Sequence, residues 1–167
     1  MEKYIDLHTH STCSDGSMTP AELVKHAKSS GLSAVAISDH DTCDGVSEAV
    51  KAGAECGIEV VPAIELIRKA GGDAYLAHLH LTKKPKDELD RFVKRLAEEG
   101  LCGIEGYYTD YTPEMETEYR GLAKKYGLKI SGGTDFHGSF KPHISIGTGL
   151  GRLRIPYSVL ENMKKDR

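Results

Sequence analysis

Residues 29–38, SSGLSAVAIS, carry the pattern that decides the fold: a glycine ends a helix-like segment and a short apolar run follows at once. Glycine at a helix C-terminus lets the chain leave the helix and enter a buried strand. The pattern recurs in residues 55–65 (ECGIEVVPAIE), 69–78 (KAGGDAYLAH), 98–108 (EEGLCGIEGYY) and 125–133 (KYGLKISGG). These runs are continuous rather than alternating, which is typical of parallel strands covered on both faces.

Two further segments, YIDLH at residues 4–8 and HISIGTG at residues 143–149, bring the predicted strands to seven. Helix starts are predicted at Thr19 and Thr112, each followed by a proline at the first helical position. Alternating strands and helices without a linker predict one α/β domain over residues 1–167. The pattern alone does not distinguish a closed barrel from an open sheet.

Polar side chains collect where the predicted strands end. They are His8, His10, Asp39, His40, Glu65, His78, Asp135 and His137. The carboxyl ends of parallel strands form one face of an α/β fold, so separate segments would deliver these groups to one place. Imidazole and carboxylate are both metal ligands, and we therefore expect a metal site there.

The spacing of these residues supports chelation. His8 and His10 are two residues apart on a strand, which places both imidazoles on the same side, and Asp135 and His137 repeat that spacing after two glycines. Glu65 ends an apolar run, where a carboxylate needs a cation or a partner. Asp15, in the loop HSTCSDGS, is either a further ligand or the first residue of a turn before Gly16.

Composition restricts the class of protein. The 167 residues carry a formal charge of −3, which argues against a broad basic surface for duplex nucleic acid. We expect no membrane span and no signal peptide, and hence a cytoplasmic location. The four cysteines form no CxxC pair and are expected to be reduced thiols.

The motifs HTHSTCSDG (8–16), ISDHDTCDG (37–45), the AIE ending at Glu65, the LAH ending at His78 and GGTDFHGSFKPH (132–143) together resemble the PHP (polymerase and histidinol phosphatase) family. Within that family the chain looks most like the nucleotide-phosphoesterase branch, because Asp15 stands where histidinol-phosphatase relatives tend to carry a histidine.

The resemblance implies a distorted seven-stranded β/α barrel and a centre of two or three zinc, manganese or iron ions. In that arrangement one ion is held by His8, His10, Glu65 and Asp135, and a second by Glu65 and His78. A third ion is held by Asp15, His40 and His137.

Two departures from the family follow from the sequence. Relatives often place another histidine ligand after the fifth strand, where Tyr111 is predicted to stand, with Asp110 beside it. Relatives also commonly insert a cap domain after the strand that bears the glutamate, whereas Glu65 is followed directly by LIRKAGG. The site is therefore expected to be open, which implies broad specificity, longer oligonucleotide-like substrates, or a protein partner that supplies the cover. The expected substrate is a small phosphorylated molecule, a nucleotide or a short oligonucleotide.

The predicted reaction is hydrolysis of a phosphate ester by a metal-bound hydroxide. Lys141 and His143 are candidates for binding phosphate or protonating the leaving group, with ordinary loop residues as the equal alternative. Two other functions stay open: a histidinol-phosphate phosphatase, and a non-catalytic metal-bound module that docks on a polymerase or nuclease. His26, within a predicted helix, is expected to be a surface or packing residue.

Overall fold

The computed structural model describes residues 2–40, 42–62 and 73–165, in which strands and helices alternate. In chain order the main elements are β1 (Ile5–Asp6), α1 (Pro20–Ser29), β2 (Ala34–Ile37), α2 (Val46–Cys56), β3 (Glu59–Pro62), β4 (Tyr75–Leu76), α3 (Lys86–Glu98), β5 (Gly103–Tyr108), α4 (Pro113–Tyr126), β6 (Lys129–Gly133) and α5 (Ser158–Lys164). Short 3₁₀ turns occupy Leu79–Thr82 and Gly138–Phe140.

The strands form two three-stranded parallel sheets, β1-β2-β3 and β4-β5-β6. Backbone hydrogen bonds join their edges, because the amide of Leu7 donates to the carbonyl of Gly132 at 3.0 Å and that of Asp135 donates to His8 at 2.8 Å. The close approach requires glycine at position 133, where a Cβ atom would lie 2.2 Å from the Cβ of His8. This confirms the α/β fold with parallel strands.

Sequence features explain where the helices begin and end. Thr19 caps α1, with its side chain accepting from the amide of Glu22 while the Glu22 carboxylate accepts from the amide of Thr19. Thr112 caps α4 in a similar way through the amide of Met115. Gly57 and Gly127 end α2 and α4 in the left-handed conformation that glycine tolerates.

Three hydrophobic clusters pack around the sheets. One lies between α1, α2 and β2, around Leu23, Val35 and Ile37, and another lies between α3, α4 and β5, around Val93 and Ile104. The third packs β1 against α5 and the segment before it. In the part of the chain that the structure describes, no helix is long and apolar enough to cross a membrane.

The prediction of a strand at residues 143–149 is wrong. Ser145 and Gly149 form an isolated antiparallel bridge that closes a tight turn, in which Gly147 and Gly149 have positive φ. Ile144 and Ile146 alternate with polar residues as they would in a strand, but the glycines of this segment favour the turn instead. Six strands in two sheets are therefore present among the described residues, and no closed barrel is observed.

A buried carboxylate fixes the junction between the two sheets. Asp6 is fully buried and accepts hydrogen bonds from the amides of Thr134 and Gly147, both at 2.9 Å, and from the amide of His8 at 3.2 Å. The hydroxyl of Thr134 donates a further, short bond. Burial raises the pKa of Asp6, and these donated hydrogen bonds oppose the rise.

Replacing Asp6 should therefore destabilise the fold strongly. In Asp6→Ala three backbone amides lose their acceptor inside the protein, and we expect the free energy of unfolding to fall by about 3 kcal/mol or more. Urea denaturation in the presence of a chelator measures this without a metal contribution. Asp87→Ala removes an exposed carboxylate paired with Arg91 and should cost less than about 1 kcal/mol. Equal stabilities of the two variants would contradict this role of Asp6.

Candidate metal centre

The carboxyl ends of the strands bring the predicted ligands together. Three groups of side chains have ligand atoms within 4.8 Å of one another. They are His8, His10 and Asp135; His10, Asp15, His40 and His137; and His8, His78 and Glu105. Glu65, the remaining predicted ligand, lies outside the described residues.

The first group lies where β1 and β6 end side by side. His8 Nε2 is 3.7 Å and His10 Nε2 is 3.3 Å from the same oxygen, Asp135 Oδ1. The backbone between the two segments is paired, with the amide of His10 donating to the carbonyl of Phe136 at 3.0 Å. All three side chains are nearly buried. Two imidazoles and one carboxylate oxygen thus converge on one point away from water.

The second group is more exposed and is arranged around Asp15. The Asp15 carboxylate lies 3.5 Å from His10 Nδ1, 3.6 Å from His40 Nε2 and 3.3 Å from His137 Nε2. The ring of His10 stacks between those of His40 and His137, with centroids at 4.5 and 4.3 Å. Partial burial acts to raise the pKa of Asp15, but the surrounding imidazoles outweigh it and hold that pKa below its usual value.

The third group contains a residue that the sequence did not reveal. Glu105 is 2% exposed, and its Oε1 lies 2.9 Å from His8 Nδ1 while its Oε2 accepts from the amide of His78 at 2.9 Å. Glu105 lies inside β5, two residues after a glycine, in a run that reads as a buried strand. A charged residue within an apolar strand was the signal that could have identified it.

Contacts on one ring nitrogen of a histidine decide which way its other nitrogen points. The bond to Glu105 turns His8 Nε2 toward Asp135, and the Nδ1 of His137, 2.8 Å from the backbone carbonyl of Asp135, turns its Nε2 toward Asp15. Neither ring nitrogen of buried His10 makes a hydrogen bond within the described residues. Burial lowers the pKa of His10, which favours the neutral ring that a cation requires.

The second oxygen of Asp135 has its own partners. The hydroxyl of Tyr108 donates to Oδ2 at 3.0 Å and Lys141 Nζ donates at 2.7 Å. Burial acts to raise the pKa of Asp135, but the His10 ring and the Lys141 ammonium hold it far below its usual value. Burial and the Asp135 carboxylate raise the pKa of Tyr108, so the phenol stays protonated as a donor.

Tyr108 faces the centre, whereas Tyr111, predicted to stand where relatives often place a histidine, does not. The hydroxyl of Tyr111 accepts from the amide of Leu79 at 2.9 Å and its ring packs edge-on against Tyr119, so it belongs to the hydrophobic core. Asp110 beside it is exposed and lies in none of the three groups.

A β-bulge explains why Tyr108 shares a face with Glu105. The pairing of β5 with β6 shifts between Glu105 and Tyr107, so that one extra residue, Gly106, is inserted. Side chains three positions apart then point to the same side of the sheet. Tyr107 is directed outward, where the guanidinium of Arg120 covers its ring at 4.7 Å.

The other candidate residues divide between structural and peripheral positions. Asp39 is buried and accepts from the amide of Ser11 at 2.7 Å and from the hydroxyls of Ser11 and Ser14, so it secures the loop that carries Asp15. His26 stacks on Phe136 at 5.5 Å, in agreement with a packing role. His143 is exposed and lies in none of the three groups, and the four cysteines are free.

Two residues of the centre have a strained backbone. His78 has a φ of 49° and Asp135 a φ of 58°, both in the left-handed region that side chains other than glycine rarely adopt. The hydrogen bonds of the His78 amide to Glu105 and of the Asp135 amide to His8 hold these conformations. Such strain is typical of functional positions, where the surrounding structure imposes it.

Two known proteins are similar to part of the chain. The chain is 47% identical over 66 residues, 40% of its length, to the 5'-3' exoribonuclease of Haemophilus influenzae. It is 40% identical over 62 residues, 37% of its length, to the 3',5'-nucleoside bisphosphate phosphatase of Chromobacterium violaceum. The aligned parts make up 24% and 22% of those two proteins, so the chain matches only a fraction of either.

The fold has a counterpart among solved structures. A Bifidobacterium adolescentis protein assigned to the metal-dependent phosphoesterases superimposes with a TM-score of 0.80 and 18% identity, over 96% of this chain and 95% of that one. At this identity the likeness concerns the fold alone. The model of the PHP domain matches residues 6–145, which include both ends of the ligand constellation. On this match, and with these ligands at its strand ends, the chain belongs to the PHP domain family.

Proposed function

We propose that this protein is a metal-dependent phosphoesterase acting on nucleotides or short oligonucleotides. The observation that carries the proposal is the convergence of buried imidazoles and carboxylates on the strand ends, with an ammonium group beside them. Mixed nitrogen and oxygen donors suit zinc, manganese or iron. The names of the two sequence relatives, an exoribonuclease and a bisphosphate phosphatase, support phosphoester substrates.

The proposed ligand sets follow from which nitrogen of each imidazole already has a hydrogen-bond partner in the protein. A neutral imidazole binds an ion through one nitrogen, and His8 uses Nδ1 for Glu105. We assign one ion to His8, His10 and Asp135, and another to Asp15, His40 and His137. His78, whose ring lies 4.8 Å from that of His8, remains the proposed ligand of a further ion together with Glu65. Glu105 then serves as a brace for His8 rather than as a ligand.

Bound divalent ions would supply a water of lowered pKa as nucleophile and offset charge on the phosphoryl oxygens. The protein's own residues fix the geometry around them. Asp135 presents Oδ1 to the two imidazoles, because Tyr108 and Lys141 hold its Oδ2. Lys141, about one-third exposed, lies between this buried carboxylate and solvent. We assign it to bind a phosphate oxygen, and keep His143 as a second candidate for phosphate contact or proton donation.

We further propose that the two sheets are parts of one distorted β/α barrel. The hydrogen bonds between the segments that follow β1 and β6 support it, since they give a continuous order β3-β2-β1-β6-β5-β4. The open mouth predicted from the short segment after Glu65 concerns residues 63–72, which lie outside the described residues.

Phosphate release tests the proposed activity. With Mn²⁺, we expect turnover of nucleoside 3′,5′-bisphosphates, nucleoside monophosphates or short oligonucleotides, and less of histidinol phosphate. His10→Ala should lower kcat/KM about a thousand-fold or more, because its ring is a proposed ligand of the first ion and packs between two proposed ligands of the second, His40 and His137. His26→Gln, outside the three groups of ligands, is the matched control. Metal binding without turnover on any of these substrates would refute the enzyme and favour a docking module.

Metal affinity tests the brace. In Glu105→Gln one of the two donors, His8 Nδ1–H or the amide of His78, faces an amide nitrogen that cannot accept. We expect affinity for Zn²⁺ or Mn²⁺, measured by competition with a chelating dye, to fall roughly 10- to 100-fold with the fold retained. Glu98→Gln, on the exposed face of α3, should leave affinity unchanged. An unaltered affinity in Glu105→Gln would exclude the bracing role.

The role of Lys141 is tested at saturating metal. Because Lys141 also contacts Asp135, a proposed ligand, its removal could weaken metal binding, and excess metal eliminates that effect. A lost charge-assisted hydrogen bond to phosphate should raise KM roughly 10- to 100-fold in Lys141→Ala. Lys94→Ala removes an exposed lysine of α3 and should not change KM. If the KM of both variants equals that of the original protein, Lys141 does not contact the substrate. The KM of His143→Ala, measured in the same assay, decides whether the imidazole of His143 does.

A further inference from the structure

We propose that the ring of Phe140 stacks on the base of a nucleotide whose phosphate binds at the proposed metal ions. The inference rests on the proposed function only for the position of the phosphate. Phe140 is 69% exposed, whereas Phe136, four residues earlier in the same segment, is 5% exposed and packs in the core. An exposed ring next in the chain to Lys141, the residue that we assign to the phosphate, is suited to a ligand that has a flat apolar face.

The turn that carries Phe140 is fixed to the centre on both sides. The amide of Ser139 donates to the hydroxyl of Ser17 at 2.7 Å, and the amide of Ser17 donates to the carbonyl of His137 at 3.1 Å. Gly138 packs so closely on Ser17, with a φ of 66°, that a Cβ atom would lie 1.8 Å from the hydroxyl oxygen. The backbone on the N-terminal side of Phe140 is thus held against the loop of Asp15.

On the C-terminal side the ammonium of Lys141 holds the chain to Asp135 at 2.7 Å. Phe140 is therefore held between two anchors, each of which contacts a segment that carries proposed ligands. Its Cα atom lies about 3.8 Å from that of Lys141, so the exposed ring begins one residue away from the cation that we assign to the phosphate. A nucleotide has an anionic phosphate and a flat base within one molecule, so a single nucleotide can use both Lys141 and Phe140.

Charge and apolar surface point to a nucleotide rather than to a simple sugar phosphate. Lys141 and the bound cations would recognise any phosphomonoester, because they contact phosphate oxygens alone. Phe140 adds a π-face on which a nucleotide base can stack, whereas a simple sugar phosphate has no aromatic ring to place there. Stacking of a base on an aromatic ring tolerates every base, so we expect preference for nucleotides without strong preference among bases.

Binding measurements separate this inference from the proposed reaction. The probes are hydrolysis-resistant phosphonate analogues of adenosine 5′-monophosphate and of ribose 5-phosphate, which differ by the base alone, titrated with Mn²⁺ present. We expect the adenosine analogue to bind roughly 5- to 100-fold more tightly. Phe140→Ala should abolish this difference without weakening the ribose analogue, and Phe140→Trp should preserve it. Val50→Ala, an exposed apolar residue of α2, is the matched control and should change neither affinity.

The outcomes distinguish the stacking role of Phe140 from the proposed phosphoesterase activity. A base preference that is absent from the original protein, or that persists in Phe140→Ala, overturns the stacking role. Equal weakening of both analogues in Phe140→Ala overturns it as well, because the ring would then support the loop and not the base. If the preference depends on Phe140 but no substrate is hydrolysed, the stacking role stands and the proposed enzyme fails.

Discussion

The carboxylate of Asp6 is the contact on which the rest of the centre depends. It is fully buried, yet it receives hydrogen bonds from His8, Thr134 and Gly147, which lie in three separate segments of the chain. His8 is a proposed ligand and Thr134 precedes another, Asp135. A buried acceptor with several donors sets their relative positions, because leaving any donor unpaired costs free energy. The group of His8, His10 and Asp135 is therefore assembled where the two sheets meet and not by either sheet alone.

The centre is built in two layers of contacts. Imidazoles and carboxylates converge at the strand ends, and behind them Glu105, Tyr108 and the backbone carbonyl of Asp135 fix which atom of each ligand faces inward. Without these outer contacts His8 could present either nitrogen and Asp135 either oxygen. The left-handed conformations of His78 and Asp135 show that the surrounding structure also constrains the backbone.

The exposed side of the centre differs from the buried side. His8 and His10 are nearly inaccessible, whereas the side chains of Asp15 and His40 are about half exposed. Lys141 and Phe140 lie on the segment that borders this side. A phosphate entering from this side would reach the half-exposed ligands and Lys141 before the buried His8 and His10.

The sequence alone determined the α/β fold, the helix caps at Thr19 and Thr112, and the concentration of ligands at strand ends, because these depend on local periodicity and on one topological rule. It also identified seven residues that the structure brings together. Only tertiary structure decided the roles of Asp6 and Glu105, whose partners lie far away in the chain, and of Tyr108, which a bulge at Gly106 turns inward in place of Tyr107. The turn at residues 145–149 likewise depended on glycine conformations that an apolar pattern does not record. Local patterns predict which segments form strands, but long-range hydrogen bonds decide which atoms of those segments meet.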